Sequence, residues 1–319
     1  MNCFLASLSA SALSIQLAHI SDHFGLQQKL SFTHRNGQIV MKSLCKSLLL
    51  GLAFAISATS HAAPKGEVLV LLSSETELPL QDGKTLPTGY YLNEFGVPAD
   101  ALLRAGYQLT VATPKGNQPK ADPRSIDPVY FAGKAGEMRR IQGVVESLTA
   151  PDHVRSLAEV MKSGLGRYDG VFIPGGHAPL IDLSNNPKVG QLLQHFHAQG
   201  KPTAAICHGP IALLAAQDDP GSYEQALVNS RLDQARNWAY SGYRMTIFSD
   251  AEEKVFEDSL KGEKLRYYPA KAMAQAGGQM QFADAWQPKV VVDRELITGQ
   301  NPFSDHALAT EFIKSLNQH

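Results

Sequence analysis

The sequence predicts an α/β protein: a flavodoxin-like, doubly wound, mostly parallel sheet with helices on both faces, plus small insertions. Two observations lead there. Apolar runs of strand length alternate regularly with longer amphipathic stretches, and Gly and Pro close the runs at intervals suited to strand-helix-strand units. Residues 67–73 (EVLVLLS) read as a strand buried on both faces. Residues 94–105 fit a helix, and 107–112 (YQLTVA) make a second strand closed by Pro114 and Gly116. The stretch 114–143 is rich in Pro, Gly and Asp with little periodicity, and reads as an irregular excursion near the sheet edge. Strand 168–173 (YDGVFI) runs into Pro174-Gly175-Gly176, residues 187–199 are helical, and 202–206 (PTAAI) leads to Cys207 and a helical 211–216. An insertion at 217–240, carrying Trp238 and Tyr240, is expected to form a cap or a surface helix pair that could reshape a pocket. Residues 290–293 and 295–298 suggest a hairpin or bent strand before a terminal helix at 304–316.

Composition narrows the function classes. With 44% apolar and 18% charged residues, the 319-residue chain can build one large core and is not disordered by default. A formal net charge of -1 gives no global basic surface to gather nucleic acid or acidic membrane, so small molecules or another protein are the expected partners. Residues 1–40 read poorly as part of a domain. From Met41, Lys42 and Lys46 precede the apolar run 48–58 (LLLGLAFAISA), and Ser60-His61-Ala62 supplies the small residues of a cleavage site. That run is too short to span a bilayer as a mature helix. The expectation is a signal peptide at 41–62, a mature domain at 63–319, no stable membrane anchor, and a periplasmic or secreted location.

Cys3 and Cys45 fall in the part that would be absent or removed, which leaves Cys207 as the lone thiol of the mature chain. Exported proteins usually pair their cysteines, so a solitary one is either buried and inert or kept for reactivity. Ala205-Ile206-Cys207-His208-Gly209 is the cysteine analogue of the G-x-S-x-G nucleophile elbow. A helix start there would favour the thiolate. The N–H of His208 can donate to an oxyanion, and Gly175-Gly176 offers a second set of backbone donors at the same sheet edge. His208 is adjacent to the cysteine, although neighbours in a turn can point apart. His195 and His197 stand two apart on a helix, and His153 and His177 lack a partner at metal-ligand spacing, so no metal site is expected.

These residues resemble the ThiJ/PfpI superfamily, which includes the Parkinson's-disease-associated deglycase and is related to class I glutamine amidotransferases. The likeness rests on TGYYLNEF from Thr88, AGY from Ala105 with TPKG from Thr113, YDGVFIPGGH from Tyr168, AICHGP from Ala205 and LITGQNP from Leu296. Within it the chain is most similar to the heat-shock-chaperone-like branch with glyoxalase III activity. The resemblance implies Cys207 as nucleophile, His208 beside it, Glu94 as a protonated carboxyl against the sulfur, and an acid in Phe248-Ser-Asp-Ala-Glu-Glu253. That acid is assigned to Glu253, with Glu252 as the alternative register and Asp250 as the helix cap. Spacing alone would make Glu94 a solvated carboxylate on a first helical turn. The implied reaction is cofactor-free: a small aldehyde such as methylglyoxal adds to Cys207 and, with water, leaves as lactate, a lyase of the hydro-lyase class. A homodimer is implied by the same resemblance. A deglycase or peptidase-like hydrolase would use the same nucleophile, and a holdase-type chaperone would need no thiol. Amidotransfer would need a late histidine with a carboxylate two residues on; His306 is followed by Ala307-Leu308 and is expected at the surface.

Overall fold

The computed structural model describes residues 63–231 and 235–319. The upstream segment 1–40 and the signal peptide 41–62 lie outside the described residues. In chain order the strands are β1 (Gly66–Leu71), β2 (Glu77–Pro79), β3 (Thr85–Pro87), β4 (Tyr107–Thr113), β5 (Val154–Ser156), β6 (Gly170–Ile173), β7 (Thr203–Ile206), β8 (Arg244–Met245), β9 (Gln279–Met280), β10 (Val290–Asp293) and β11 (Leu296–Gly299). Seven of them form one sheet in the order β10-β11-β7-β6-β1-β4-β5. Every pairing is parallel except β10 with β11. From β1 the chain first builds outward through β4 and β5, then returns to lay β6 and β7 on the other side. The strand order therefore reverses at β1/β6, and the crevice beyond the carboxyl ends of these strands is where such sheets bind ligands.

The alternation of side chains along each strand explains why the runs are apolar throughout. Leu69 and Leu71 face one buried cluster with Val171, Ile173 and Ala205, whereas Val68, Val70, Phe172, Ala204 and Ile206 face another on the opposite side. The second face is covered by the helices Leu92–Arg104, Ala135–Leu148 and Asp305–Leu316, and the first by Leu157–Ser163, Pro187–Ala198 and Pro269–Gln275. No helix among the described residues is long and apolar enough to cross a membrane.

Four expectations need correction. Residues 211–216 are not an α-helix: Gly209–Ala215 is a 3-10 helix. The stretch 114–143 contains 3-10 turns at Pro123–Ser125 and Pro128–Phe131 and runs into the helix Ala135–Leu148. Fully buried Asp122 caps the first turn, accepting from the Arg124 N–H at 2.9 Å, and Arg124 and Tyr130 line a cavity shared with Cys207. The insertion at 217–240 contributes a helix, Pro220–Val228, and buries Trp238 and Tyr240 in the core. Trp238 Nε1 donates to the Leu213 carbonyl at 2.7 Å, and none of the insertion's described residues lines the cavity above Cys207, so it forms no cap there. Finally, Asp250 is not the cap of its helix; Ser249 is, in a capping box with Glu252.

Candidate active site

Cys207 follows β7 directly, and its backbone is held from both sides. Its N–H donates to the Gly299 carbonyl at the end of β11 at 2.9 Å, and its carbonyl accepts from the Phe248 N–H at 3.0 Å. The residue sits at φ +58°, in the left-handed region that a non-glycine residue adopts at a cost of about 1–3 kcal/mol. This strain turns the chain sharply enough to lift the side chain off the strand end, as in a nucleophile elbow. The thiol is buried nonetheless, with 2% of the residue exposed.

Glu94 reaches the sulfur from the first turn of the helix Leu92–Arg104. Asn93 fixes that helix start, donating through Nδ2 to the Pro302 carbonyl at 2.8 Å and to Asp305 Oδ2 at 2.9 Å. Glu94 is therefore fully buried rather than solvated, and neither carboxyl oxygen has a hydrogen-bond partner of normal geometry. Burial pushes its pKa well above the usual carboxylate range; the neighbouring Cys207 thiol and the Gly175 N–H act against this without reversing it. Gly175 permits the close approach, since a Cβ there would lie 2.6 Å from both Cys207 Cβ and Glu94 Oε2. Gly176 has φ +86°, and a Cβ on it would meet the Gly89 carbonyl oxygen at 2.0 Å.

The expected thiolate-favouring helix start is weaker than the sequence suggested, because a short 3-10 helix follows Cys207. Burial pushes the Cys207 thiol up and the Glu94 carboxylate adds to it, while the Gly176 N–H works in the other direction. A charge on Glu94 opposes ionisation of the Cys207 thiol, so the pair holds at least one proton between them. Neither the Gly176 nor the His208 N–H is committed to another backbone carbonyl among the described residues.

On the other side of the sulfur, His208 Nδ1 lies 3.2 Å from Cys207 Sγ. Its Nε2 is 2.7 Å from Glu253 Oε1. A carboxylate can only accept, so Nε2 carries the proton and Nδ1 presents a lone pair to the thiol. Adjacent in sequence, the two side chains do meet. The Ser249–Glu252 capping box settles the register of the acid: Glu252 is tied to Ser249, to the Trp286 N–H at 2.8 Å and to Asn301 Nδ2 at 2.8 Å, which leaves Glu253 facing the imidazole.

His177 is the residue the sequence did not assign. It follows Gly176, its ring centroid lies 3.9 Å from that of His208, and its Nε2 is 3.3 Å from Glu253 Oε2. Burial, together with the neighbouring His208, lowers its pKa to about 4. Burial alone would raise Glu253, but the two imidazoles outweigh it and hold the carboxylate at about 2. His177, His208 and Glu253 place donor atoms within 4.8 Å of one another, close enough for a metal ion. Both imidazole Nε2 atoms already face the carboxylate, so the cluster is accounted for as a hydrogen-bonded unit. The signal for His177 was its place after the double glycine at a strand end.

The other histidines lie elsewhere. His197 pairs with Glu295 at 2.8 Å, His153 meets the Ser147 carbonyl, and His306 has an 81% exposed side chain beside Asp305. A cavity of about 230 Å³ opens over Cys207, His208 and His177. Its walls include Tyr91, Arg124, Tyr130, Phe248, Phe256 and Trp286, none of which was singled out as lining a pocket from sequence.

Fold and site together define a flavodoxin-like α/β protein with a cysteine in a sharp, elbow-like turn at its topological switch point. Residues 86–222 match the DJ-1/PfpI (ThiJ/PfpI) family. The chain is 25% identical over 257 residues to a protein/nucleic acid deglycase HchA of Pseudomonas aeruginosa, covering 78% of this chain and 80% of that one. A protein of the same name from Staphylococcus aureus is 27% identical over 249 residues, covering 76% and 77%. The crystal structure of glyoxalase III from Candida albicans superposes with a TM-score of 0.61 at 22% identity, covering 78% of this chain and 97% of that one. At that identity the structural likeness concerns the fold.

Proposed function

We propose that the protein is a cofactor-independent cysteine enzyme acting on reactive carbonyls, converting a 2-oxoaldehyde such as methylglyoxal, with water, to a 2-hydroxy acid such as lactate. The observation that carries this reading is the fully buried carboxyl of Glu94, held without an ionic partner against the Cys207 side chain. Simple hydrolysis through Cys207, His208 and Glu253 would need no such group. An internal redox reaction does, because a proton must leave one carbon and arrive on its neighbour, and a carboxyl with a raised pKa can both give and take it.

In this mechanism His208 Nδ1 accepts the thiol proton as sulfur adds to the aldehyde carbon, while the protonated Glu94 carboxyl gives its proton to the aldehyde oxygen, forming a hemithioacetal and leaving Glu94 as the carboxylate. Glu94 removes the proton from that carbon and delivers one to the former ketone carbon through an enediol, leaving a thioester of the hydroxy acid. Water attacks the thioester with His208 as base and Glu253 orienting it. The C–S bond breaks, and the thiol is restored. The aldehyde carbon is oxidised and the ketone carbon reduced, so no external electron carrier enters the balance. N–H groups of Gly176 and His208 are the proposed oxyanion donors.

The test is incubation of the reduced, folded protein with methylglyoxal in the absence of glutathione, with lactate measured against Cys207→Ala and Glu94→Gln controls. Lactate formation that both substitutions abolish is the expected result; none from the folded wild-type protein sinks the proposal. In deuterated water the lactate should carry solvent deuterium at C2. We further propose that the domain from Ala63 is the exported, mature form. Sequencing the N-terminus of the native product tests this, and a start well before Ala63 would refute it.

A further inference from the structure

The cavity is not shaped for methylglyoxal. We infer that the site selects arylglyoxals, 2-oxoaldehydes with a flat aromatic substituent, over small alkyl ones; the inference rests on the reaction proposed above. Three features of the cavity carry it. Its volume is about 230 Å³, whereas an apolar protein cavity of about 150 Å³ already holds benzene. There is therefore room for a phenyl ring as well as the two-carbon dicarbonyl unit, and methylglyoxal, with five heavy atoms, would leave most of it unfilled. Unfilled apolar space forfeits dispersion contacts that a larger substrate recovers.

The walls supply the second feature. Tyr91 and Tyr130 meet edge to face with centroids 5.4 Å apart at 71°, and Phe248 and Trp286 do so at 5.6 Å and 71°. Trp286 is held in place from behind, because its backbone N–H donates to buried Glu252. Aromatic rings gain from edge-to-face and offset contacts beyond simple burial, and these pairs offer ring faces and edges together over the reactive sulfur.

The third feature is the charge. Arg124 lines the cavity with its guanidinium 4.8 Å from the Phe256 ring centroid. Its Nε and Nη2 are committed to Asp122 and the Pro87 carbonyl, while Nη1 makes no hydrogen bond among the described residues. A guanidinium in the wall with donors to spare favours a carboxylate product and disfavours cationic guests, such as aldehyde adducts of arginine or lysine side chains. The balanced reaction is arylglyoxal plus water to aryl 2-hydroxy acid, with the same carbon-to-carbon proton shift.

Two arms test the inference. In the kinetic arm, initial rates with phenylglyoxal (product mandelate) and methylglyoxal (product lactate) are compared. Phenylglyoxal should have at least a tenfold higher kcat/KM, and Trp286→Leu should lower the ratio of the two at least fivefold. Equal rates, or a preference for methylglyoxal, overturn the inference while leaving the proposed reaction standing. In the binding arm, Cys207→Ala, which cannot turn over, is titrated with mandelate and with lactate by tryptophan fluorescence. The chain has two tryptophans, and Trp238 is 5% exposed and buried in the core, so Trp286 is the reporter, with Cys207→Ala/Trp286→Leu as blank. Mandelate should bind at least tenfold tighter than lactate. If neither aldehyde is turned over, the proposed reaction fails and this arm alone decides: tighter mandelate binding upholds the aromatic site, and equal binding of the two acids refutes it.

Discussion

Two glutamates flank the reactive sulfur system, both fully buried, and they are pushed in opposite directions. Glu94 has no charged or strongly bonded partner among the described residues, only the Cys207 thiol and the Gly175 N–H beside it, and burial holds its pKa well above the carboxylate range. Glu253 accepts from two imidazoles, at 2.7 and 3.3 Å, and is held at about 2. Burial is common to both, so partners make the difference. In the proposed reaction the Glu94 carboxyl exchanges protons with the substrate, and Glu253 is the fixed negative charge that orients and stabilises an imidazolium. Their contributions to stability have opposite signs. Glu253, with its pKa lowered from 4.5 to about 2, adds stability that is present above pH 4.5 and lost between there and about 2. Glu94, with its pKa raised, withdraws stability as pH climbs above 4.5.

The largest effect should come from abolishing the proton exchange on the Glu94 side. Glu94→Gln keeps the shape and removes the titratable proton, so turnover should fall by about 10³-fold or more. The same substitution should raise stability at pH 8, because an isolated buried carboxyl no longer resists ionisation. Lactate assays and denaturation at pH 8 read the two arms. An active Glu94→Gln protein, or one destabilised there, would contradict the assignment.

The next test sharpens the Glu253 side. Burial lowers the His177 pKa from the ordinary imidazole value of 6.5 to about 4, so the folded state binds fewer protons in that window. Its contribution is fully present above pH 6.5 and lost as pH falls to about 4, a decline of about 3 kcal/mol for a shift of this size. Denaturant titrations at pH 6.5 and 4 should show a smaller decline in His177→Gln than in wild type. An unchanged slope would mean that another group is responsible. Replacing the acid itself, Glu253→Gln, leaves His208 without its fixed charge, and kcat should fall about a hundredfold with methylglyoxal. A fall confined to KM would argue against an orienting role.

Much of this comparison could be read from the chain, for physical reasons that also explain what could not. The central strands were visible because both faces are buried and the run between polar ends is apolar, as in 68–72. β2, β3 and β5, at three residues each, are too short to establish a period. The cysteine elbow announces itself by small residues on both sides of Cys207. Glu94 has no such local mark, because its burial is imposed by Asn93 bonding to Pro302 and Asp305, over two hundred residues away. The cavity walls escaped for a similar reason. Arg124 lies in a stretch with no periodicity, and Trp286 is held by Glu252, which the resemblance left as the alternative register to Glu253. Family resemblance supplied Glu94 and Glu253, and the capping geometry separates Glu253 from its neighbour.

That capping geometry yields the smallest of the expected effects. Ser249 Oγ accepts from the Glu252 N–H at 3.3 Å, and Glu252 Oε2 accepts from the Ser249 N–H at 2.8 Å. The box fixes where the helix Asp250–Asp258 begins, and so which of two adjacent glutamates points at His208. Ser249→Ala deletes half of it, and loss of an N-cap costs about 1 kcal/mol. Glu252 retains its bonds to Trp286, Gln300 and Asn301, so the helix should keep its register and kcat should fall only a few-fold. A large loss of activity at that modest destabilisation would mean that the cap alone sets the Glu253–His208 contact. If so, the charged half of the site is held more precariously than its hydrogen bonds suggest, and the contrast with Glu94 would rest on one serine hydroxyl.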